Sequence, residues 1–377
     1  MLDVMKDNIL RRLITRFDDY VDEANSLMLP GHNGPYNEQE TPLRNTAHWL
    51  VILASGCMYD DLREASLANI ERLHRGILGF HNSKHLNFIS RVSRKPNVDF
   101  SNGVIGAAWI FEGLSNSLRV LPNTKLYDIC YKIYCNHKFS QQAGLWHRND
   151  PYKGVGRIDQ TFNHQLWFAY AASQLFESEA RVLADVEVFL DRACTNFGTY
   201  ENGLIYHPIP YKVDWRSRIA GGVRLLKAAT LITIGSPTPQ LTGAISAERL
   251  RQKSIGYHMF NIFAFLGLLR VFPDHPFFKS DSFKAALRYT TCKEYLKDIY
   301  HENMFGFAYN LPGFEVSRLI ARREEIRQVC GVRVDTEKLD GLSEMQSRLV
   351  LDSNGDFEFE KFADERTAIA SIYKILG

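Results

Sequence analysis

Two kinds of helical segment alternate along this chain, and that alternation limits what it can fold into. The first kind is apolar nearly all round: TPLRNTAHWLVILASG (41–56), NGVIGAAWIFEGLSNSLRV (102–120), DQTFNHQLWFAYAASQLF (159–176) and SIGYHMFNIFAFLGLLRVF (254–272). The second kind keeps one wet face: DDLREASLANIERLHRGIL (60–78), TKLYDICYKIYCNHKF (124–139), ESEARVLADVEVFLDRAC (177–194) and SDSFKAALRYTTCKEYLKDI (280–299). A helix without a polar face must be enclosed, and an amphipathic helix can enclose it. Repeated in order, the pattern predicts an all-α fold of helical hairpins closed into an (α/α) toroid, an inner ring inside an outer one. The first three inner segments begin near residues 43, 102 and 159, a period of roughly 58 residues. Weaker inner candidates at 216–232 and 308–325 bring the ring to five or six hairpins. The 377 residues suffice for a core of this kind in one domain spanning 1–377. Closing helices and a small hairpin at Asn354-Gly355 are expected from about residue 325 onward. Strand signals are confined to short rim elements near 80–89 and 199–215.

Several function classes are disfavoured. The net charge is +2 and no basic stripe is present, so nucleic acid is not an expected partner. No apolar run reaches about 18 residues, so no membrane span is expected. The N-terminus lacks the pattern of a secretory signal, which makes the cytoplasm the expected compartment. The six cysteines show no zinc spacing and are read as reduced core thiols. Asp18-Asp19-Tyr-Val-Asp22 matches an aspartate-rich metal motif, but it sits among solvated charges with no second motif. No phosphate-binding loop or dinucleotide fingerprint occurs. Neither a metal nor an organic cofactor is implied.

Four long stretches rich in Gly, Pro, Asn and His precede inner segments, at 29–42, 93–103, 144–159 and 202–218. Long loops in a compact fold are usually functional. In a toroid the inner N-termini share one face, so these loops converge on one cup ringed by free N–H groups and positive dipole ends.

The loop 144–159 is richest. Trp146 offers a flat face for a sugar ring, while His147, Asp150 and Asp159 offer acid and base groups. Asp159 also suits a helix N-cap. Arg157, with Arg216 and Arg218, can fork onto a uronate carboxylate. Arg44 with His48, and His258 with Asn261, share helix faces, and His164 joins them if the repeat is real. His48 and His258 each precede an alanine by six positions. Imidazoles at such positions suit proton abstraction from a sugar carbon. The pair Tyr206-His207 suits donation to a leaving group, and Tyr257 adds a phenol. Trp109 and Trp167 suit either core filling or a sugar platform, and Trp215 suits a platform.

The run Ile158-Asp159-Gln160-Thr161-Phe162-Asn163-His164-Gln165-Leu166-Trp167-Phe168-Ala169 resembles a helix start in the unsaturated glucuronyl hydrolases, whose pattern reads I-D-x-x-x-N-x-x-L-x-F/W-A. The resemblance implies an α/α barrel, an acid/base role for Asp159, and Asn163 one turn inward on the same face. That family's second aspartate has Asp99, or Asn102 in its stead, as its nearest counterpart. Its W-A-R-G segment is loosely echoed by Ser254-Ile255-Gly256-Tyr257-His258. N-acylglucosamine epimerases and uronate lyases are similar in architecture, as are proteins of surface-polysaccharide gene clusters.

The expectation is therefore a carbohydrate-active enzyme, first a glycoside hydrolase on an oligo- or polysaccharide that can carry uronate. A uronate lyase, a sugar epimerase and a non-catalytic glycan-binding or assembly protein are the alternatives. Asp159, His147, His207 and His258 are the catalytic candidates. Arg44, His48, Asn102, Trp109, Trp146, Asp150, Arg157, Asn163, Tyr206, Tyr257 and Asn261 are the substrate-binding candidates.

Overall fold

The computed structural model describes residues 2–81, 87–92, 99–209, 239–300, 303–352, 355–360 and 362–376. The inner helix expected at 216–232, together with Trp215, Arg216, Arg218 and Asn354, lies outside the described residues.

The described helices run in chain order as α1 (Leu2–Thr15), α2 (Leu43–Gly56), α3 (Asp60–His81), α4 (Ile105–Val120), α5 (Thr124–Asn136), α6 (Phe162–Leu175), α7 (Ala180–Asp191) and α8 (Ala193–Asn196). They continue as α9 (Pro239–Gly256), α10 (His258–Val271), α11 (Asp281–Tyr289), α12 (Lys293–Tyr300), α13 (Pro312–Ala321), α14 (Arg323–Cys330), α15 (Thr336–Val350) and α16 (Glu365–Ser371). The four segments apolar all round become the inner rods α2, α4, α6 and α10, and the weaker candidate at 308–325 supplies α13. In α6 all fourteen residues but His164 are buried, and α10 is buried from His258 to Leu269. The amphipathic segments cover them, as α3, α5, α7 and α11 do with one face. Their starts are set locally. Asn123 caps α5 by accepting from Leu126 N–H, and Ser280 caps α11 through Phe283 N–H.

Each inner rod packs on the next: α2 on α4, α4 on α6, α6 on α10, α10 on α13. The C-terminal segment closes the circle, since α16 and the 3₁₀ turn Ile372–Leu376 pack against α2 and the turn also packs on α13. The fold is thus the expected (α/α) toroid, with the chain's last helical turn standing as an inner element. Gly113 marks how close the rods come, because a Cβ there would fall onto the Ala47 carbonyl of α2. Polar bonds fasten the closure. Lys374 Nζ meets Glu315 Oε1 at 2.5 Å and the Asn310 carbonyl at 2.9 Å, and Tyr373 Oη donates to Glu112 Oε2 at 2.7 Å. Glu315 is fully buried and Lys374 nearly so.

Three local expectations need correction. The stretch 144–159 is not a loop but most of an antiparallel sheet, β3 (Phe139–Ser140), β4 (Leu145–Asp150) and β5 (Gly154–Ile158). It forms because Leu145 and Trp146 are buried, Trp146 against Phe168 of α6 and Phe189 of α7, while the next strand stays wet. Near 80–89, Phe80 and His81 end α3 rather than starting a strand. Cys194 is exposed, not a core thiol. On the rim, Thr199 bridges Ile205, and Thr161 bridges Pro208. Asp18 and Asp19 of the aspartate-rich motif pair with Arg72 and Arg16 at the surface. Among the described residues no single helix is long and apolar enough to cross a membrane.

Replacing Lys374 by Met leaves the Glu315 carboxylate buried without its cation. Urea unfolding at neutral pH should show a loss of about 3–5 kcal/mol. Burial already pushes Glu315 up to about 7, so the loss should shrink in acid, where the carboxyl takes a proton.

Candidate functional site

A cavity of about 230 Å³ opens where the inner helices begin. Arg44 reaches it from the first turn of α2, Ile105 from α4, Asn163 and His164 from α6, Tyr257 from just before α10, and Asn310 from just before α13. The expected convergence of inner N-termini on one cup is therefore present.

One carboxylate organises the wall between α4 and α6. Asp159 is fully buried, so its oxygens must be satisfied by protein. Oδ2 accepts from Val104 N–H at 3.1 Å and pairs with His164 Nδ1 at 2.8 Å. Oδ1 accepts from Thr161 N–H at 3.1 Å and from Arg148 Nη2 at 2.9 Å. Burial by itself would raise the pKa of Asp159. The charges and hydrogen bonds of His164 and Arg148, with Thr161 N–H, outweigh it and hold the carboxyl well below its usual range.

The turn that delivers these donors is built for the approach. Asn102 and Gly103 both take left-handed backbone, φ 55° and 67°. Asparagine tolerates that region and glycine is free in it. A Cβ on Gly103 would fall onto Asp159 Oδ2 and within 2.8 Å of His164 Nδ1. Asp99 holds the turn from outside. It accepts from Ser101 N–H at 3.0 Å and Gly103 N–H at 2.8 Å, and meets Arg148 Nη1 at 3.5 Å.

His164 is the one α6 residue that is not buried, and it lines the cup. With Nδ1 committed to Asp159, its Nε2 is the nitrogen left for a ligand. His207 lines the same cup beside Tyr257, ring centroids 4.9 Å apart. Burial first, then the charge of Lys253, pulls the His207 pKa down to about 3, so its imidazole is neutral in the folded protein near pH 7.

The opposite wall is cationic and phenolic. Arg44 pairs with the buried Glu40 at 3.1 Å and lies over the Trp109 ring at 4.4 Å. Arg91 pairs with Glu38 at 3.3 Å. Lys253 stands 4.7 Å from the Tyr36 ring centroid, and among the described residues no carboxylate pairs with it. Tyr36, Tyr257 and Tyr309 cluster there, and burial raises the Tyr36 phenol to about 12. Asp99 is the one carboxylate lining the cup among the described residues. No group of three His, Cys, Asp or Glu among them is placed to hold a metal ion.

Of the residues singled out in the sequence, Arg44, Asp99, Asn102, Trp109, Asn163, His164, His207 and Tyr257 line the cup, and Asp159 stands directly behind His164. The other candidates among the described residues do not line it. Trp146 is fully buried against Phe139, Phe168 and Phe189, because its strand turns it inward, so it offers no sugar platform. His258 is a core histidine: Nε2 meets the Ala286 carbonyl at 3.1 Å and Nδ1 faces Ile205 N–H at 3.4 Å. His48 is buried against Tyr373, and Asn261 is buried in α10. The three histidines are not repeat-equivalent, being sixth in α2, third in α6 and first in α10. His147 bonds the Gly156 carbonyl across the hairpin at 2.9 Å, and Asp150 caps the turn through Tyr152 and Lys153 N–H. Arg157 points outward from β5, and Tyr206 stacks on Tyr200 at 4.2 Å. Arg148, Arg91, Lys253, Tyr36 and Tyr309 were missed by the sequence reading. Only Arg148 carried a signal, two positions after Trp146 on a strand.

No protein-family model matches the chain. Over 299 residues it is 33% identical to archaeal glycosylation protein Q of Haloferax volcanii, a match covering 77% of each chain. Among solved structures it resembles cellobiose 2-epimerase from Bacillus thermoamylovorans, with TM-score 0.61 and 9% identity over 99% of each chain. It also resembles an unsaturated glucuronyl hydrolase specific for heparin, with TM-score 0.58 and 9% identity over 100% of this chain and 96% of that one. An α-1,6-mannanase from Salegentibacter gives TM-score 0.55 and 12% identity over 98% of each. At these identities the structural likeness shows the toroid.

Trp146→Ala empties a core position and should cost about 3–5 kcal/mol in chemical denaturation. A sugar platform would instead show lost ligand affinity at unchanged stability. His207 gives a pH signature. The unfolded imidazole takes a proton near pH 6.5, the folded one only near 3. Its contribution to stability is therefore complete above about 6.5 and is lost as pH falls toward 3. His207→Gln should flatten the stability profile across that window.

Proposed function

We propose, from the premise that this chain belongs to the family of archaeal glycosylation protein Q, that its cup is the active site of a carbohydrate-active enzyme that moves protons on a sugar. The observation that carries this reading is the buried Asp159 behind His164, with a second imidazole, His207, in the same cup. An imidazole oriented by a carboxylate is suited to take a proton from a carbon beside a carbonyl and to return it to the other face or to the neighbouring carbon. Epimerisation and isomerisation of sugars are reactions of that kind.

Each residue has a role in this scheme. Asp159 positions His164 and does not itself exchange protons, because four donors occupy it. Neutral His207 is the second proton-handling group. Arg148, Asn163 and Asn102 supply donors to sugar hydroxyls and to a developing oxyanion. Trp109 offers an apolar face. Lys253, with no carboxylate paired to it among the described residues, would take the carboxylate of a uronate.

Glycoside hydrolysis is the second reading, and one observation favours it: Asp99 and Asp159 both bond Arg148, at 3.5 and 2.9 Å. Hydrolysis asks for an acid and a base that reach the glycosidic bond, and Asp159 is enclosed.

Incubation with a panel of hexoses, hexuronates and short oligosaccharides in D2O separates the readings by NMR. Proton transfer to carbon places deuterium on the sugar ring carbon. Hydrolysis yields new reducing ends without it, elimination yields an unsaturated chromophore, and a glycan-binding protein yields no product. His164→Gln should lower turnover by about 10²–10⁴-fold. Deuterium-free hydrolysis, or full activity in His164→Gln, would refute the scheme.

A further inference from the structure

The end of the ring opposite the cup carries its own chemistry. A hollow of about 150 Å³, room for about five waters, opens where α4, α6, α10 and α13 finish. Four guanidiniums line it: Arg119, Arg270, Arg318 and Arg322. Along α4 the hollow lies about 21 Å from the cup, at 1.5 Å per residue from Ile105 to Arg119.

Arginines at helix C-termini ordinarily meet the last carbonyls and the negative dipole end. Three of these meet backbone carbonyls, one of them at a helix end. Arg119 Nη2 donates to the carbonyl of Gln174, next to last in α6, at 3.3 Å, whereas Arg318 Nη1 donates to that of Phe263 at 3.1 Å and Arg322 to that of Leu266, both within α10. Arg270 does not; its bond is to the Gln174 side chain, Oε1, at 2.6 Å. Helix capping therefore leaves Arg270 unexplained.

The acids present do not neutralise the group. Glu177 pairs with Arg119 and Glu325 with Arg322. Among the described residues no carboxylate forms an ion pair with Arg270 or Arg318. Glu112 lies nearby, but it is fully buried, bonded to Tyr373, and lifted by burial to about 7. Burial and the three neighbouring guanidiniums pull the pKa of Arg270 below its ordinary value. Like charges gathered in so small a hollow repel one another, and an anion between them relieves that repulsion.

We propose that this hollow is a binding site for a tetrahedral oxyanion, a phosphate or sulfate group, held by Arg119, Arg270, Arg318 and Arg322. Guanidinium forks converging from several helices match the several acceptor oxygens of such a group. The ligand is either a soluble phosphate compound or the phosphate of a lipid headgroup. The site is independent of the reaction assigned to the cup.

Calorimetric titration of the full chain with inorganic phosphate, at ionic strength fixed with chloride, tests it. One saturable site per chain is expected. Arg270 and Arg119 have exposed side chains, so Arg270→Gln and Arg119→Gln should keep the thermal midpoint in chloride. Each should weaken phosphate at least tenfold. Lys253→Met, in the cup, should leave phosphate affinity unchanged. Absence of a saturable site overturns the proposal, as does affinity that survives both arginine variants or falls with Lys253→Met. Sedimentation with phosphatidylcholine vesicles, with and without phosphatidic acid, then separates the two sources. Vesicle binding that Arg270→Gln abolishes assigns a headgroup, and phosphate binding without vesicle binding assigns a soluble ligand.

Discussion

A carboxylate cut off from water must take its hydrogen bonds from the protein around it, and Asp159 takes four of them from three separate elements. Its donors come from the start of α4, the start of α6, the strand that carries Arg148, and the imidazole of His164. Satisfying that one group fixes how two neighbouring inner rods stand at the cup and which way a histidine faces. The cost of burying a charge is offset only when all the donors are present. This is why the turn before α4 runs through two left-handed residues and why a glycine is needed where the carboxylate passes.

The ring gives each end a different character. Inner helices run in one sense from cup to far end, so N–H groups gather at one end and carbonyls at the other. At the cup end, the carboxylates of Asp99 and Asp159 accept from N–H groups at the starts of α4 and α6. At the far end four guanidiniums gather; Arg119 meets the Gln174 carbonyl near the end of α6, and Arg270 bonds the Gln174 side chain. The C-terminal turn runs beside both chemistries, with Lys374 bonded below the cup at Asn310 and Tyr373 bonded to Glu112 toward the arginines.

What was legible in the sequence followed from burial. Segments apolar all round can only be inner rods, so α2, α4, α6 and α10 were readable, α13 more faintly, and with them the cup at their starts. Asp159 stood out as an acid at a helix start, and Asn163 through the resemblance of that start to the glucuronyl hydrolase pattern. The reading of Trp146 failed because a six-residue strand, half buried, resembles a loop when judged by its glycines and charges. Pairing His48 with His258 failed because a shared spacing to alanine says nothing of where each helix begins. Tyr36, Lys253 and Tyr309 reach the cup through tertiary packing between distant segments, and no local pattern marks them. Asp159 itself was legible as important but not as enclosed, since burial of a polar group depends on donors contributed from elsewhere.

The orientation of His164 by Asp159 is the claim on which the assigned chemistry stands, and nitrogen NMR of histidine-labelled protein observes it directly. The account predicts that His164 carries its proton on Nδ1 in a strong hydrogen bond, and that Asp159→Asn shifts that signal while the fold persists. A His164 protonated on Nε2 alone, or one indifferent to Asp159→Asn, would contradict it.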